Sequence, residues 1–307
     1  MNDSVAVLRA RWTPELTEAA IRFLQGNPGG IEIPTMELDG ATLLDLRGIR
    51  IEQTQLDGML IRKVNLRWST IRDVGFKGAK LAECNLSQVN FADCYFRRAL
   101  FQKCDIVNSK FDSCDFSSAR IEDSRLDFST FRGCEISLKD IGFRADSAPA
   151  VLVRICRSLK LNAASMGHFA DASELAYLEK TYERRDLYNQ AFKARQPAHR
   201  LKSIAFWLDS VLFNWLWGYG EKPWRLALGM VIAIYGFGTL QFTLDGIPGR
   251  GWWEHIYFSG VTFLTVGYGD LVPVEPIPRM FAVLEGITGI TMIGMLIASS
   301  TKKIMHR

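Results

Sequence analysis

Between residues 265 and 270 the chain reads Thr-Val-Gly-Tyr-Gly-Asp, a run whose residue types suit the dehydration of a cation. A cation leaving water needs its hydration oxygens replaced at little net cost, and a ring of backbone carbonyls can supply them. Successive carbonyls face the same way only if alternate residues take unusual dihedrals, and Gly267 and Gly269 reach positive φ without a Cβ clash. The Thr265 hydroxyl adds an oxygen below the carbonyls. Val266 and Tyr268 are expected to point away from the axis and pack on a scaffold. Asp270 is expected at the outer mouth, where a carboxylate raises the local cation concentration. The plain alternative is a Gly-Tyr-Gly loop, and six residues in order between two apolar segments argue against it.

Carbonyls held in a row need a frame. Leu226 to Leu244 is 19 residues without a charge, long enough for a spanning helix. Met280 to Thr301 is the second span, with Glu285 as its one charge. Trp252 to Leu264 is mostly apolar, Glu254 and His255 excepted, and is too short to cross, which fits a re-entrant pore helix. Irregular backbone at membrane depth is tolerated only where protein buries it or it lines a watery cavity. Residues 265–270 in that place therefore imply a pore.

Lys193, Arg195, Arg200, Lys202, Lys222 and Arg225 precede the first span, and Lys302, Lys303 and Arg307 follow the second. Only Arg250 and Arg279 lie between them. The positive-inside rule puts both termini in the cytoplasm of a multi-pass protein of the cell (inner) membrane. Six of the eight tryptophans fall between Trp207 and Trp253, as interfacial anchors would. Leu201 to Trp217, with Lys202, Ser203, Asp209, Ser210 and Asn214 as its polar members, reads as an interfacial helix within a segment 201–223. Burial against protein is the alternative.

Residues 224–301 resemble the pore module of two-transmembrane potassium channels, on the string 265–270 and its place between two spans. The resemblance implies a homotetramer in a lipid bilayer, each chain supplying one quarter of the ring. It implies K+ as the permeant ion, with no other cofactor, at sites formed by the carbonyls of Thr265, Val266, Gly267 and Tyr268. Gly289, 24 residues after Thr265, stands where this family often has a glycine hinge. A close helix contact is the alternative, because small residues pack well in membranes, and Gly286 and Gly294 could serve in the same way. The chain departs from the family's pattern at Leu264, where many relatives have threonine, and at Val261, where some have a glutamate that pairs with the filter aspartate. Glu285 is an acid inside a span, and such a group is a functional candidate. It either hydrogen-bonds the pore helix behind the filter or pairs with Arg279. No Arg-rich span that could sense voltage is present.

A second regularity fills the N-terminal half. Every fifth residue from Leu46 to Ile141 is Leu, Ile or Phe, 20 positions without a miss. Neither the helix period of 3.6 nor the strand period of 2 produces this, and a short fixed period points to a solenoid. The pattern resembles the pentapeptide-repeat family over residues 36–145. That resemblance implies a right-handed quadrilateral β-helix with four pentapeptides per coil, hence five coils and a rod of about 24 Å at the normal strand spacing. Twenty-residue stacking then predicts ladders of Phe91, Phe111 and Phe131 and of Phe76, Phe96 and Phe116. The residue two before each central one is expected to be small and inward. That accounts for Cys84, Cys94, Cys104, Cys114 and Cys134 as small buried thiols rather than disulfides or metal ligands.

Thr13 and Pro14 read as N-cap and N1 of a helix in a capping region 1–35, which covers an otherwise open sheet edge. Ala148–Asn162 and Ala170–Asn189 read as helices of a connector, 146–200. The fold class is thus a multidomain membrane protein: β-helix, helical connector, and a two-transmembrane helical potassium-channel pore domain over 224–307. As a whole the chain resembles bacterial ion channels that carry N-terminal pentapeptide repeats.

No Walker loop, Rossmann fingerprint, metal-spaced His/Cys set or nucleophile motif is present, so no enzyme chemistry and no catalytic residue is expected. From Ala41 to Ile141 there are 16 Lys/Arg against 14 Asp/Glu. Imitation of nucleic acid needs a strongly acidic surface, so no nucleic-acid-related partner is expected. A potassium-selective channel with the repeats as regulatory or assembly element is the reading. A membrane-anchored scaffold with a non-conducting or weakly selective pore is the alternative. The stimulus, whether ligand or protein partner, is not named by any residue pattern.

Overall fold

The computed structural model describes residues 5–27, 31–38, 40–137, 139, 141–143, 147–193 and 200–305. They divide into two compact units, Met1–Asp186 and Leu187–Arg307.

The first unit is a β-solenoid whose coils repeat every 20 residues. One wall stacks Arg50–Gln55, Thr70–Gly75, Asn90–Ala92, Lys110–Asp112 and Thr130–Arg132, in that order and in parallel. A second wall stacks Leu60–Arg62, Lys80–Ala82, Leu100–Gln102, Arg120–Ser124 and Ile141–Phe143. The other two walls pair through single bridges, Asn65 to Asn85 to Asp105 to Arg125 and Gly75 to Tyr95 to Asp115 to Glu135. Four walls at a 20-residue offset make one pentapeptide per wall.

All the five-spaced Leu, Ile and Phe residues from Leu46 to Ile141 are buried. Burying a side chain of this size contributes about 1.5–3 kcal/mol, so the column is the main source of the unit's stability. The phenylalanines stack face to face along the axis. Phe91 and Phe111 lie 4.8 Å apart and Phe111 and Phe131 5.0 Å. Phe76 and Phe96 are 4.9 Å apart, and Phe96 and Phe116 4.8 Å.

The small residue two before each central one is buried as well, and its polar atom has a defined task. The thiols of Cys84, Cys104 and Cys134 donate to Ile61 O, Leu81 O and Phe111 O of the preceding coil at 3.3–3.4 Å. Ser69 and Ser109 do the same to Leu46 O and Leu86 O. All six cysteines are buried free thiols. Burial, with Glu179 nearby, pushes the Cys156 thiol up to about 12, which keeps it protonated and unreactive.

Each corner of the coil holds one residue in the left-handed region. From Gly48 to Gly133 every fifth residue has positive φ, 18 positions, of which only Gly48, Gly58, Gly78 and Gly133 are glycine. The others include Trp68 (φ 64) and Phe128 (φ 61). An L residue there costs about 1–2 kcal/mol, a cost the buried column and the coil-to-coil hydrogen bonds must offset.

Helices close both ends. The N-terminal end has α1 (Val5–Ala10), which sequence reading did not anticipate, and α2 (Pro14–Leu24). The Thr13 side chain accepts from Leu16 N at 3.2 Å and Pro14 begins the helix. Ala20 and Leu24 join the solenoid core. Before the parallel coils, Thr35–Leu38 and Ala41–Asp45 form an antiparallel hairpin, so the regular stacking begins later than residue 36. At the other end α3 (Pro149–Ser165) lays Leu152, Ile155, Cys156 and Leu159 on the last coil. It also pairs the open edge: Asn162 Oδ1 accepts from Cys134 N at 2.9 Å, Asn162 Nδ2 donates to Cys134 O at 2.8 Å, and Ser158 Oγ accepts from Phe131 N at 3.2 Å. The next helix, α4 (Phe169–Tyr188), presents the buried Glu179 to Arg157 at 2.8 Å and Lys160 at 2.5 Å.

Asp45 anchors the N-terminal cap. It accepts from Arg11 and Arg47, and Arg11 and Trp12 also donate to the Arg47 carbonyl. Burial alone would raise the Asp45 carboxyl, but the two guanidinium groups outweigh it and hold the group well below the usual carboxylate range. A carboxyl lowered on folding contributes stability above its unfolded value of about 3.9, and loses it as pH falls toward the folded value. Asp45→Asn is therefore expected to lower stability at neutral pH by about 2 kcal/mol. It is also expected to flatten the loss of stability below about pH 4. Hydrogen exchange of the α1 and α2 amides across a pH series checks both.

Candidate ion-conduction site

The second unit opens with α5 (Arg200–Trp217), followed by a tight turn at Gly218–Gly220. Phe206, Leu208, Val211 and Trp215 of α5 are exposed apolar residues. Gly218, Tyr219 and Gly220 all have positive φ, and the Tyr219 hydroxyl fixes the corner by donating to Ser210 O at 3.0 Å. Two helices, α6 (Pro223–Thr243) and α8 (Pro276–Met305), are long and apolar enough to cross a membrane. Between them α7 (Trp252–Phe263) is the short helix expected of a re-entrant element. The first span begins three residues earlier than the sequence reading placed it, because Pro223 starts the helix at N1. The second begins four residues earlier, at Pro276.

Small residues let these helices meet. A Cβ built on Gly238 of α6 would lie 2.9 Å from Ile256 Cα on α7. One on Gly289 of α8 would lie 2.0 Å from the carbonyl oxygen of Phe263, the last residue of α7. Gly289 thus makes a close backbone contact directly ahead of Leu264 and Thr265. Gly286 and Gly294 have open space around them. Polar groups tie the same frame. Gln241 Nε2 donates to Pro278 O at 2.9 Å, joining α6 to α8. His255 Nε2 accepts from Ile247 N at 3.2 Å and its Nδ1 donates to Gly251 O at 2.8 Å, which leaves the ring neutral. Near the far end of α8, Ser299 donates to Gly220 O at 2.7 Å. Sequence reading missed Ser299, Gly220 and Phe263, since nothing in a local pattern announces a contact 79 residues away.

Residues 265–270 leave the end of α7 through four backbone bonds, the longest from Gly267 N to Val261 O at 3.4 Å. Leu264 N donates to Gly260 O at 3.0 Å, Thr265 N to Thr262 O at 3.0 Å, and Val266 N to Val261 O at 2.9 Å. Val261 therefore serves through its carbonyl, where a glutamate would have served through its side chain. Thr265 (φ 59), Gly267 (φ 58) and Gly269 (φ 76) are left-handed, while Val266 and Tyr268 between them are not. That alternation is the condition for successive carbonyls to face one side. The glycines were expected to supply it; Thr265 shares it although it is β-branched, a strained choice. No described protein donor bonds the carbonyls of Thr265, Val266, Gly267 or Tyr268. Val266 and Tyr268 are 51% and 72% exposed in the single chain, so the expected packing on a scaffold is not made within one copy. Asp270 is exposed at the end of the run.

Glu285 is fully buried and bonds Ser259 of α7. Arg279 donates to Pro273 O at 2.9 Å, and no ion pair joins it to Glu285.

Comparison with known proteins finds a likeness within each unit. A family model described as "Ion channel" matches residues 229–306, and one described as "Pentapeptide repeats (8 copies)" matches 79–117. The chain joins an ion-channel pore domain to a pentapeptide-repeat solenoid. "Two pore potassium channel b" of Oryza sativa subsp. japonica is 27% identical over 95 residues, 29% of this chain and 27% of the relative. "Two-pore potassium channel 1" of Arabidopsis thaliana is 36% identical over 84 residues, 25% of this chain and 23% of the relative. The chain thus spans about a quarter of the length of these curated relatives. A pentapeptide repeat protein from the Arabidopsis thaliana thylakoid lumen aligns with 37% of this chain and 78% of its own, at 18% identity and a TM-score of 0.23.

Gly289→Ala is expected to force α7 and α8 apart and to destabilise the pore domain by about 1–3 kcal/mol. Gly236→Ala, on α6 with open space around it, is expected to be neutral or slightly stabilising. Thermal unfolding of both variants in detergent checks the difference.

Proposed function

We propose that the protein is a potassium-selective channel, a homotetramer in the cell (inner) membrane that conducts K+ passively through a ring of four copies of residues 265–270. The observation that carries this is the row of four carbonyls without protein donors, from Thr265 to Tyr268, in a backbone that alternates in the sign of φ. Such a row offers oxygen ligands to a dehydrated cation and to little else. A tetramer is supported by what one copy leaves uncovered. Val266 and Tyr268 lie beside the row with no scaffold of their own. Val283, Ile287, Ile290 and Ile297 form an exposed apolar face on α8, and neighbouring copies and lipid would cover these surfaces. The two plant relatives are named as potassium channels, which favours K+ over other cations for residues that match them.

Reconstituted in liposomes, the full chain is expected to pass K+ and to exclude Na+. Gly267→Val is expected to abolish the flux, because a β-branched residue cannot hold φ 58 without strain. Equal Na+ and K+ permeability of the intact protein would refute the selectivity.

The solenoid is the regulatory or assembly element in this reading. It has a complete core and closed ends of its own, as an independent regulatory domain needs. Deleting residues 1–186 is expected to change open probability in bilayer recordings while leaving the K+/Na+ ratio intact. An unchanged open probability with tetramers still formed would make the solenoid a passive appendage.

A further inference from the structure

We infer that Glu285 carries its proton and acts as a positioning residue, clamping the pore helix α7 between α6 and α8 behind residues 265–270. The consequence for conduction rests on the channel reading above, while the protonation does not.

The argument is a count of protons. Ser259 Oγ lies 2.7 Å from Ile234 O of α6 and within bonding distance of Glu285 Oε1 of α8. A hydroxyl has one proton to give, and a backbone carbonyl can only accept. With Glu285 as a carboxylate, both neighbours of Ser259 would be acceptors. One contact would then face lone pair against lone pair. With Glu285 as an acid the chain closes: Glu285 donates to Ser259, and Ser259 donates to Ile234 O. One proton each then joins three helices.

The surroundings agree. Glu285 and Ser259 are both fully buried. Glu285 has no ion pair among the described residues, and its Oε2 has no partner. A lone ionised carboxylate in such a place is far costlier than a neutral acid with one idle carbonyl. The other polar side chains of the three helices make their bonds away from Glu285. His255, one turn back on α7, is neutral and bonded at both nitrogens. Gln241 Nε2 of α6 donates to Pro278 O and Arg279 Nε of α8 to Pro273 O.

The clamp has a register. Glu285 meets Ser259, and Gly289, four residues on, meets Phe263, four residues on from Ser259. The polar contact and the glycine contact therefore occupy successive turns of both helices. Together they hold the end of α7 from which Thr265 emerges.

Two measurements test this on the full-length protein in lipid. Infrared spectra at neutral pH are expected to contain the carbonyl stretch of a protonated carboxylic acid that is absent from Glu285→Gln and fades in the wild type at alkaline pH. Identical spectra for the two proteins would overturn the protonation, and this readout needs no ion flux. In liposomes Glu285→Gln, which keeps size and donor, is expected to retain K+/Na+ selectivity and to show no alkaline loss of flux, while the wild type shows that loss. Glu285→Leu is expected to lower the K+/Na+ ratio about tenfold, the effect of losing roughly one buried hydrogen bond. Equal selectivity and equal pH profiles in all three proteins would overturn the positioning role. Absence of K+ flux from the wild type would count against the channel reading instead.

Discussion

A backbone carbonyl or amide that is taken out of water must find a partner, and this constraint organises both halves of the molecule. In the solenoid each coil finds partners in the next, as where Leu46 N donates to Asn65 O and Leu66 N to Asn85 O. The stack then has two open ends, and side chains close them. Arg11 and Trp12 donate to the carbonyls of Asp45 and Arg47 at one end, and Asn162 and Ser158 serve Cys134 and Phe131 at the other. In the pore domain the helices satisfy themselves, as they must in lipid. The carbonyls of residues 265–268 stand apart from that rule, and the exception is where a cation can supply what protein does not.

Both units hold strained backbone, and for related reasons. The corners of the solenoid place residues as large as Trp68 and Phe128 in the left-handed region. They persist because the buried column two residues earlier and the hydrogen bonds on either side leave no alternative path for the chain. Thr265 is left-handed under a comparable constraint. Its amide is tied to Thr262 O and the next amide to Val261 O, so the chain must turn sharply out of α7 before the glycines begin. In both places packing dictates a conformation that the residue itself disfavours.

Much of this was legible in the sequence, and what was not has a physical reason. The five-residue period revealed every inward position, since an apolar side chain records burial wherever it falls. The spans and the short helix were legible through length and charge, with their starts displaced by Pro223 and Pro276. The left-handed corners were hidden because only four of the 18 are glycine, so composition records none of the strain at the rest. The antiparallel hairpin at 35–45 was hidden because pairing direction leaves no mark on an alternating pattern. Asn162 looked like the end of a helix; its role depends on facing a sheet edge that lies 28 residues back. Glu285 was visible as an acid in a span, and Arg279, six residues back on the same helix, lies on a different face of it; the meeting with Ser259 is set by how α8 packs against α7, which no local pattern encodes.

That meeting places an acid behind α7 although Val261 supplies none on the helix's last turn. Val261 offers no carboxylate one turn before Thr265, and the α7 side chain that reaches Asp270 is the Tyr257 hydroxyl. The acid comes from α8 instead, and it meets α7 from behind, at Ser259, one turn before the helix ends. An anchor at the outer mouth restrains the far end of residues 265–270; an anchor at Ser259 restrains the base from which they emerge. The helix is then held on two sides, by Ile234 O and by Glu285, while Gly289 sets the depth to which its last turn can seat. Because the acid acts as a neutral donor, it adds no charge beside the row of oxygens, as the proposed channel needs if cations are to leave as readily as they enter.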